Sequence, residues 1–179
     1  MSDYFLFVGL PYAAFAIMLI GSILRYMDRG FTVSSLSTQF LEGKSLFWGS
    51  QPFHWGMMFL FFGHLVAFLF PASVIAFNGD PVRLLILEVT AFAFGLATLF
   101  GIIMLVIRRL TNKRVQIVTS KMDMVVFATL LTQIISGVYI AYFHRYGSTW
   151  FAASLTPYLR SIFAFNPDMS VVASMPFAV

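Results

Sequence analysis

Four long apolar stretches, near Phe5–Leu24, Phe53–Phe70 with an extension toward Phe77, Leu84–Ile107 and Met124–Phe143, decide what this chain can become. A bilayer core is crossed by about 20 residues of helix, and inside it only helices and closed barrels satisfy their own backbone groups. Each stretch predicts a spanning helix. Of 179 residues, 60% are hydrophobic and 10% charged, and the mean hydropathy of +0.88 excludes an ordinary soluble domain. The predicted fold class is an all-α integral membrane protein: a transmembrane helix bundle with four spans and the start of a fifth. Nothing repeats internally and no low-complexity linker divides the chain, so residues 1–179 are expected to form one helical domain.

The first stretch is expected to stay as a helix rather than leave as a signal peptide. Its leading residues carry Asp3 and no Lys or Arg, and its apolar run outlasts an h-region. Basic residues set the orientation. Arg25, Arg29 and Lys44 lie between the first and second spans, and Arg108, Arg109, Lys113, Arg114 and Lys121 between the third and fourth; Arg83, Arg145 and Arg160 fall on the other side. Eight against three puts both basic loops in the cytoplasm and the N-terminus outside. The net charge of +4 is therefore a topology signal, and nucleic acid is not an expected partner. With no cysteine, the polypeptide holds no disulfide, thiolate metal site, cysteine-ligated iron–sulfur cluster or c-type haem attachment. After an expected outer loop, His144–Asp168, the tail from Met169 to Val179 turns apolar again. Its last nine residues reach only about 13 Å as helix, and a carboxylate buried at Val179 would be costly. A fifth span is expected to continue past Val179; a short re-entrant or surface-lying tail is the alternative.

The second stretch carries two histidines, His54 and His64, ten residues apart in an otherwise uncharged run. Titratable groups are expensive in hydrocarbon and mark functional sites. On a helix the two imidazoles stand about 80° apart around the axis and about 15 Å apart along it. Met57, Met58, Phe61, Leu65 and Phe68 share their side, while Gly56 and Gly63 fall nearly opposite His54 and suit close approach of a neighbouring helix. A lone histidine in such a setting is an ordinary interior residue bonded to another helix. Two on one stripe, at two depths, point to metal or haem ligation.

Iron in haem suits this pattern best. No HExxH motif is present, and the spans set no acidic cluster beside either histidine for zinc or a di-iron site. Imidazole is a haem axial ligand, and apolar walls keep water from the macrocycle. Two haems at two depths make an electron wire across the bilayer. His144, the one other histidine, is expected to be an interfacial loop residue beside Arg145.

The pattern Phe53-His54, Gly56, Gly63-His64 and Pro71 resembles the gamma subunit, the di-haem cytochrome b, of membrane-bound respiratory nitrate reductases. Gly21-Ser22 with Leu24-Arg25-Tyr26, and Arg108-Arg109-Leu110 followed by Arg114-Val115, extend that resemblance over nearly the whole chain. It implies two b haems, with His54 a ligand of the one nearer the cytoplasm and His64 of the one nearer the outside, each paired with a histidine from a fifth helix. It also implies quinol oxidation on the outer side of a bacterial or archaeal cytoplasmic (inner) membrane. Electrons would pass to a cytoplasmic iron–sulfur subunit and a molybdenum catalytic subunit, where nitrate is reduced. Arg83 falls where the family has a lysine implicated in the quinol site; a snorkelling anchor at a helix end is the alternative. Glu88 is a proton acceptor or a partner for Arg83.

Other features are expected to be structural. Thr129, Thr132, Gln133 and Ser136 make a polar stripe suited to interhelical hydrogen bonds. The basic loop from Arg108 to Arg114 meets anionic lipid or an acidic partner surface, and the inner loop Met27–Ser50 lies on the membrane and docks a soluble subunit. A haem-free membrane anchor, a small transporter and the cytochrome of a sulfur-cycle reductase remain open beside the favoured reading. The absence of cysteine makes the topology directly testable: a single cysteine replacing Gly79 should react with an impermeant maleimide in intact cells, and one replacing Lys113 should not. The reverse labelling would invert the assignment.

Overall fold

A computed structural model describes residues 2–29, 43–144 and 149–173, all helices and short connections. A wide π-type turn, Phe5–Gly9, leads into α1, Leu10–Arg29. Then come α2 (Lys44–Leu69), α3 (Pro71–Asn78), α4 (Pro81–Thr111), α5 (Lys113–Ile117) and α6 (Lys121–Phe143). A second π-type turn, Phe151–Leu155, precedes α7, Thr156–Phe163. Four spans among the described residues are long and apolar enough to cross a membrane: Phe5–Asp28, Lys44–Leu69, Pro81–Thr111 and Lys121–Phe143. The all-α membrane fold expected from composition is the fold observed. Of the tail expected to enter a fifth span, Ser170–Ala173 form one helical turn, and residues 174–179 lie outside the described residues.

Contacts group the chain into two compact units, Met1–Leu36 with Pro157–Val179, and Ser37–Thr156. In the first, tyrosines bind helix ends. Tyr12 donates its hydroxyl to the Ile162 carbonyl at 2.8 Å, and Tyr158 donates to the Phe7 carbonyl. Tyr12 also stacks on Phe165, and Phe15 meets Phe163 edge-on.

The second unit is organised by a glycine seam between α2 and α4. A Cβ on Gly101 would stand 2.5 Å from the Phe53 backbone nitrogen and 2.6 Å from the Gly49 carbonyl oxygen. One on Gly49 would come within 2.9 Å of the Leu105 side chain, and one on Gly56 within 2.7 Å of the Phe94 carbonyl and closer still to the Thr98 hydroxyl. At Gly56 and Gly101 only hydrogen fits, and at Gly49 a Cβ would have to displace the Leu105 side chain, so the two backbones pack directly, as small residues allow in membranes. Thr98 is fully buried in the seam and donates its hydroxyl to the Phe94 carbonyl at 2.7 Å. Gly63, expected on this same seam, is exposed, and a Cβ there would meet nothing within 4 Å. Beyond Gly56 the rings of Phe59 and Phe94 stack 4.1 Å apart with Phe59 half exposed, and Gly49 takes the place assigned to Gly63.

This packing explains why α2 starts at Lys44 rather than Phe53. Pro52 lacks the N–H that would bond back to the Trp48 carbonyl, yet the turn around Gly49 is held against α4 and the helix runs through. The expected inner loop thus shrinks: residues 44–50 are helical, and residues 30–42 lie outside the described residues. α2 stops at Phe70, whose φ of −127° and ψ of 56° leave the helical region, as the residue before Pro71 must. At the start of α4, Asp80 accepts hydrogen bonds from the Val82 and Arg83 backbone N–H groups at 2.9 and 3.0 Å. The bond from Arg83 is the chief cause that holds this carboxyl below its ordinary range, with the bond from Val82 and the Arg83 charge adding to it.

Three expectations change in detail. The outer stretch is not a bare loop, since Phe151–Leu155 and α7 are helical and bury Ala152, Thr156, Tyr158 and Ile162. The hydroxyls of Thr129, Thr132 and Ser136 donate to the Val125, Ala128 and Gln133 carbonyls of their own helix at 2.9 Å, and the stripe stays exposed rather than bonding across helices. In the basic loop, Arg109 serves the fold: it donates to Thr119 at 3.2 Å, sits 3.8 Å from Asp123 and lies over the Phe127 ring, fastening α4 to α6.

Gly101→Val should drive a side chain into the α2 backbone, destabilising the protein by about 3 kcal/mol and removing most of the material recoverable in mild detergent. Gly63→Ala should be neutral or mildly stabilising. Equal tolerance at both sites, measured by detergent thermal melts, would contradict the seam.

Candidate functional site

Gly56 fixes which way the α2 histidines face. With Gly56 pressed on α4, His54 projects about 160° away around the helix axis and His64 about 80° away, by helical geometry. Both imidazoles are exposed on the surface of this chain, bordered by the exposed side chains of Met58 and Phe61. The His64 ring meets Phe151 edge-on at 5.0 Å, and the His54 ring meets Phe53 edge-on at 5.2 Å.

The two rings share one hydrogen-bond arrangement. Nδ1 of His54 lies 2.7 Å from the Ser50 carbonyl oxygen, and Nδ1 of His64 lies 2.7 Å from the Leu60 carbonyl oxygen, each four residues back. A carbonyl oxygen only accepts, so the proton resides on Nδ1 and donates. With Nδ1 donating, Nε2 is the nitrogen left to act as a ligand, and neither Nε2 has a hydrogen-bond partner among the described residues. A metal-ligating histidine needs this state: one nitrogen anchored by N–H donation, the other bare.

Among the described residues no three His, Asp or Glu side chains gather closely enough to hold a bare metal ion. A haem iron asks less, one imidazole per face and an apolar surround for the macrocycle. Each histidine can supply one of those two imidazoles, so the residues present fit half of a haem ligand set at each position.

The other residues singled out by sequence lie apart. Arg83 occupies the first turn of α4, exposed, with its guanidinium 5.3 Å over the Phe77 ring. No hydrogen bond joins it to either histidine among the described residues. Glu88 is half-buried on α4. His144 caps the end of α6, its N–H donating to the Ile140 carbonyl at 3.0 Å and its ring 5.8 Å from that of Tyr139. Ser50 is the one site residue that sequence analysis passed over: besides its carbonyl, its hydroxyl oxygen lies 3.0 Å from His54 Nδ1. Its signal was a serine four residues before a membrane histidine.

The sequence model of the nitrate reductase gamma subunit family matches residues 3–179. The chain belongs to the nitrate reductase gamma subunit family. It is 33% identical over 180 residues to the nitrate reductase gamma chain of Bacillus subtilis (strain 168), a match covering 98% of this chain and 80% of that one. It is 33% identical over 129 residues to the respiratory nitrate reductase 2 gamma chain of Escherichia coli (strain K12), covering 72% of this chain and 57% of the other. The nitrate reductase-like protein NarX of Mycobacterium tuberculosis (strain ATCC 25618 / H37Rv) is 28% identical over 182 residues, 93% of this chain and 26% of its own length. The gamma subunit assignment covers the segment with both histidines, and it makes the chain a membrane component of an oxidoreductase assembly.

The tautomer can be checked directly. In the gamma subunit labelled with 15N-histidine, His54 and His64 should each show a protonated Nδ1 and an unprotonated Nε2. A protonated Nε2 on either ring would contradict the arrangement.

Proposed function

We propose that this chain is the membrane-anchor cytochrome b subunit of a respiratory nitrate reductase-type complex. It oxidises quinol and passes electrons through two b haems to cytoplasmic iron–sulfur and molybdenum subunits. The observation that carries the proposal is the pair of bare Nε2 atoms, presented ten residues apart on one spanning helix, with each Nδ1 satisfied by the helix's own backbone. Nitrate chemistry belongs to the partner subunits and not to this chain.

When bound, haem would supply reversible one-electron chemistry. The protein's part is to space and orient. His54 and His64 would hold haem through Nε2 atoms about 15 Å apart along the helix. The Met and Phe side chains of their stripe exclude water, which limits reorganisation when charge moves. Arg83 is assigned to the quinol: its guanidinium donates hydrogen bonds to a quinol oxygen at the outer end of α4, while the Phe77 ring keeps the charge near the surface. The basic ends of the spans set the N-terminus outside and the α4–α6 connection toward the cytoplasmic partners.

In the purified complex, His54→Ala and His64→Ala should each remove about half of the b haem, and a different haem by its optical spectrum, while nitrate reduction driven by a soluble dye persists. Arg83→Ala should keep both haems and raise the KM for quinol. Full haem content in both histidine variants would overturn the proposal.

A further inference from the structure

The two histidines are anchored unequally. His64 Nδ1 has one acceptor, the Leu60 carbonyl at 2.7 Å; His54 Nδ1 has two, the Ser50 carbonyl at 2.7 Å and the Ser50 hydroxyl oxygen at 3.0 Å. We infer that the Ser50 hydroxyl is a positioning residue that strengthens His54 as an electron donor, and so separates the reduction potentials of the two haem sites. The inference rests on the haem-ligand reading above.

The carbonyl requires the proton to sit on Nδ1, so the hydroxyl oxygen beside it shares that N–H as a second acceptor instead of donating to the ring. A serine in a helix ordinarily turns its hydroxyl to a carbonyl of its own preceding turn, for Ser50 that of Leu46; here the oxygen faces the imidazole. Two acceptors on one N–H draw the proton outward and leave more negative charge on the ring. That charge raises the donor strength of Nε2, as partners of a ligating histidine do. A ferric iron carries one more positive charge than a ferrous iron and gains more from a stronger donor, so the site at His54 is held to a lower potential than its imidazole alone would give. Leucine at position 60 offers no side-chain acceptor, and His64 lacks this bias. Ser50 also restrains the ring, but restraint alone would change how much haem is held rather than its potential.

The test is a redox titration of both haems in the purified complex. In Ser50→Ala, the haem that His54→Ala removes should shift upward in potential by a few-fold to about tenfold in its one-electron equilibrium, tenfold being about 59 mV. The other haem should stay in place, and Ser50→Thr, which keeps a hydroxyl, should restore the lower potential. Unmoved potentials in Ser50→Ala, equal shifts in both haems, or loss of haem with no shift in what remains would each overturn the inference while leaving the histidine ligands intact. A wild-type complex without b haem would overturn the ligand reading itself, and this inference with it.

Discussion

An imidazole placed in hydrocarbon has one N–H to satisfy and one lone pair to place. With no water available, an unmet polar group there costs several kcal/mol. The helix supplies the acceptor for the N–H itself: the carbonyl four residues back lies within reach of Nδ1, and both His54 and His64 use it. Once that bond forms, the lone pair has one location, Nε2, on the side of the ring turned away from the backbone. The functional reading depends on this bond, because without it neither nitrogen would be reliably bare.

Direction then depends on the seam between α2 and α4. Gly49 and Gly56 on one helix, and Gly101 on the other, let the backbones touch and leave no freedom for α2 to roll. A roll of even a third of a turn would carry the histidine stripe into α4 and expose the glycines. Aromatic contacts reinforce the arrangement at points along its length, with Phe59 stacked on Phe94 at the margin of the seam and Phe151 on the edge of His64. The fold thus converts a packing requirement, close helix approach, into a chemical one, presentation of two imidazoles on a common apolar face.

The spans were legible because apolar length is what a bilayer demands, and each predicted stretch lies within or close to an observed one. Boundaries were less legible: Lys44–Ser50 joins α2 through Pro52 only because distant Leu105 and Gly101 receive it, which no local pattern reveals. The same limit misassigned Gly63, which shares a helix face with Gly56 but has nothing within 4 Å of where its Cβ would stand. Residues 151–163 read as loop because their helix is short and mixed, stabilised by Ala152, Thr156 and Tyr158 finding buried places. Of the candidate site, the histidines and their stripe were readable from spacing. The Nδ1 bonds were not, since they depend on side-chain rotamers that the sequence does not specify.

An experimental structure of the assembled complex would decide whether His54 and His64 present their Nε2 atoms to two different haem irons. Each Nε2 should lie within bonding distance of its own iron, the irons separated by roughly 15 Å along the helix axis, with both Nδ1–carbonyl bonds retained. Irons ligated by other residues, or either Nε2 turned to a protein or lipid acceptor, would overturn that assignment.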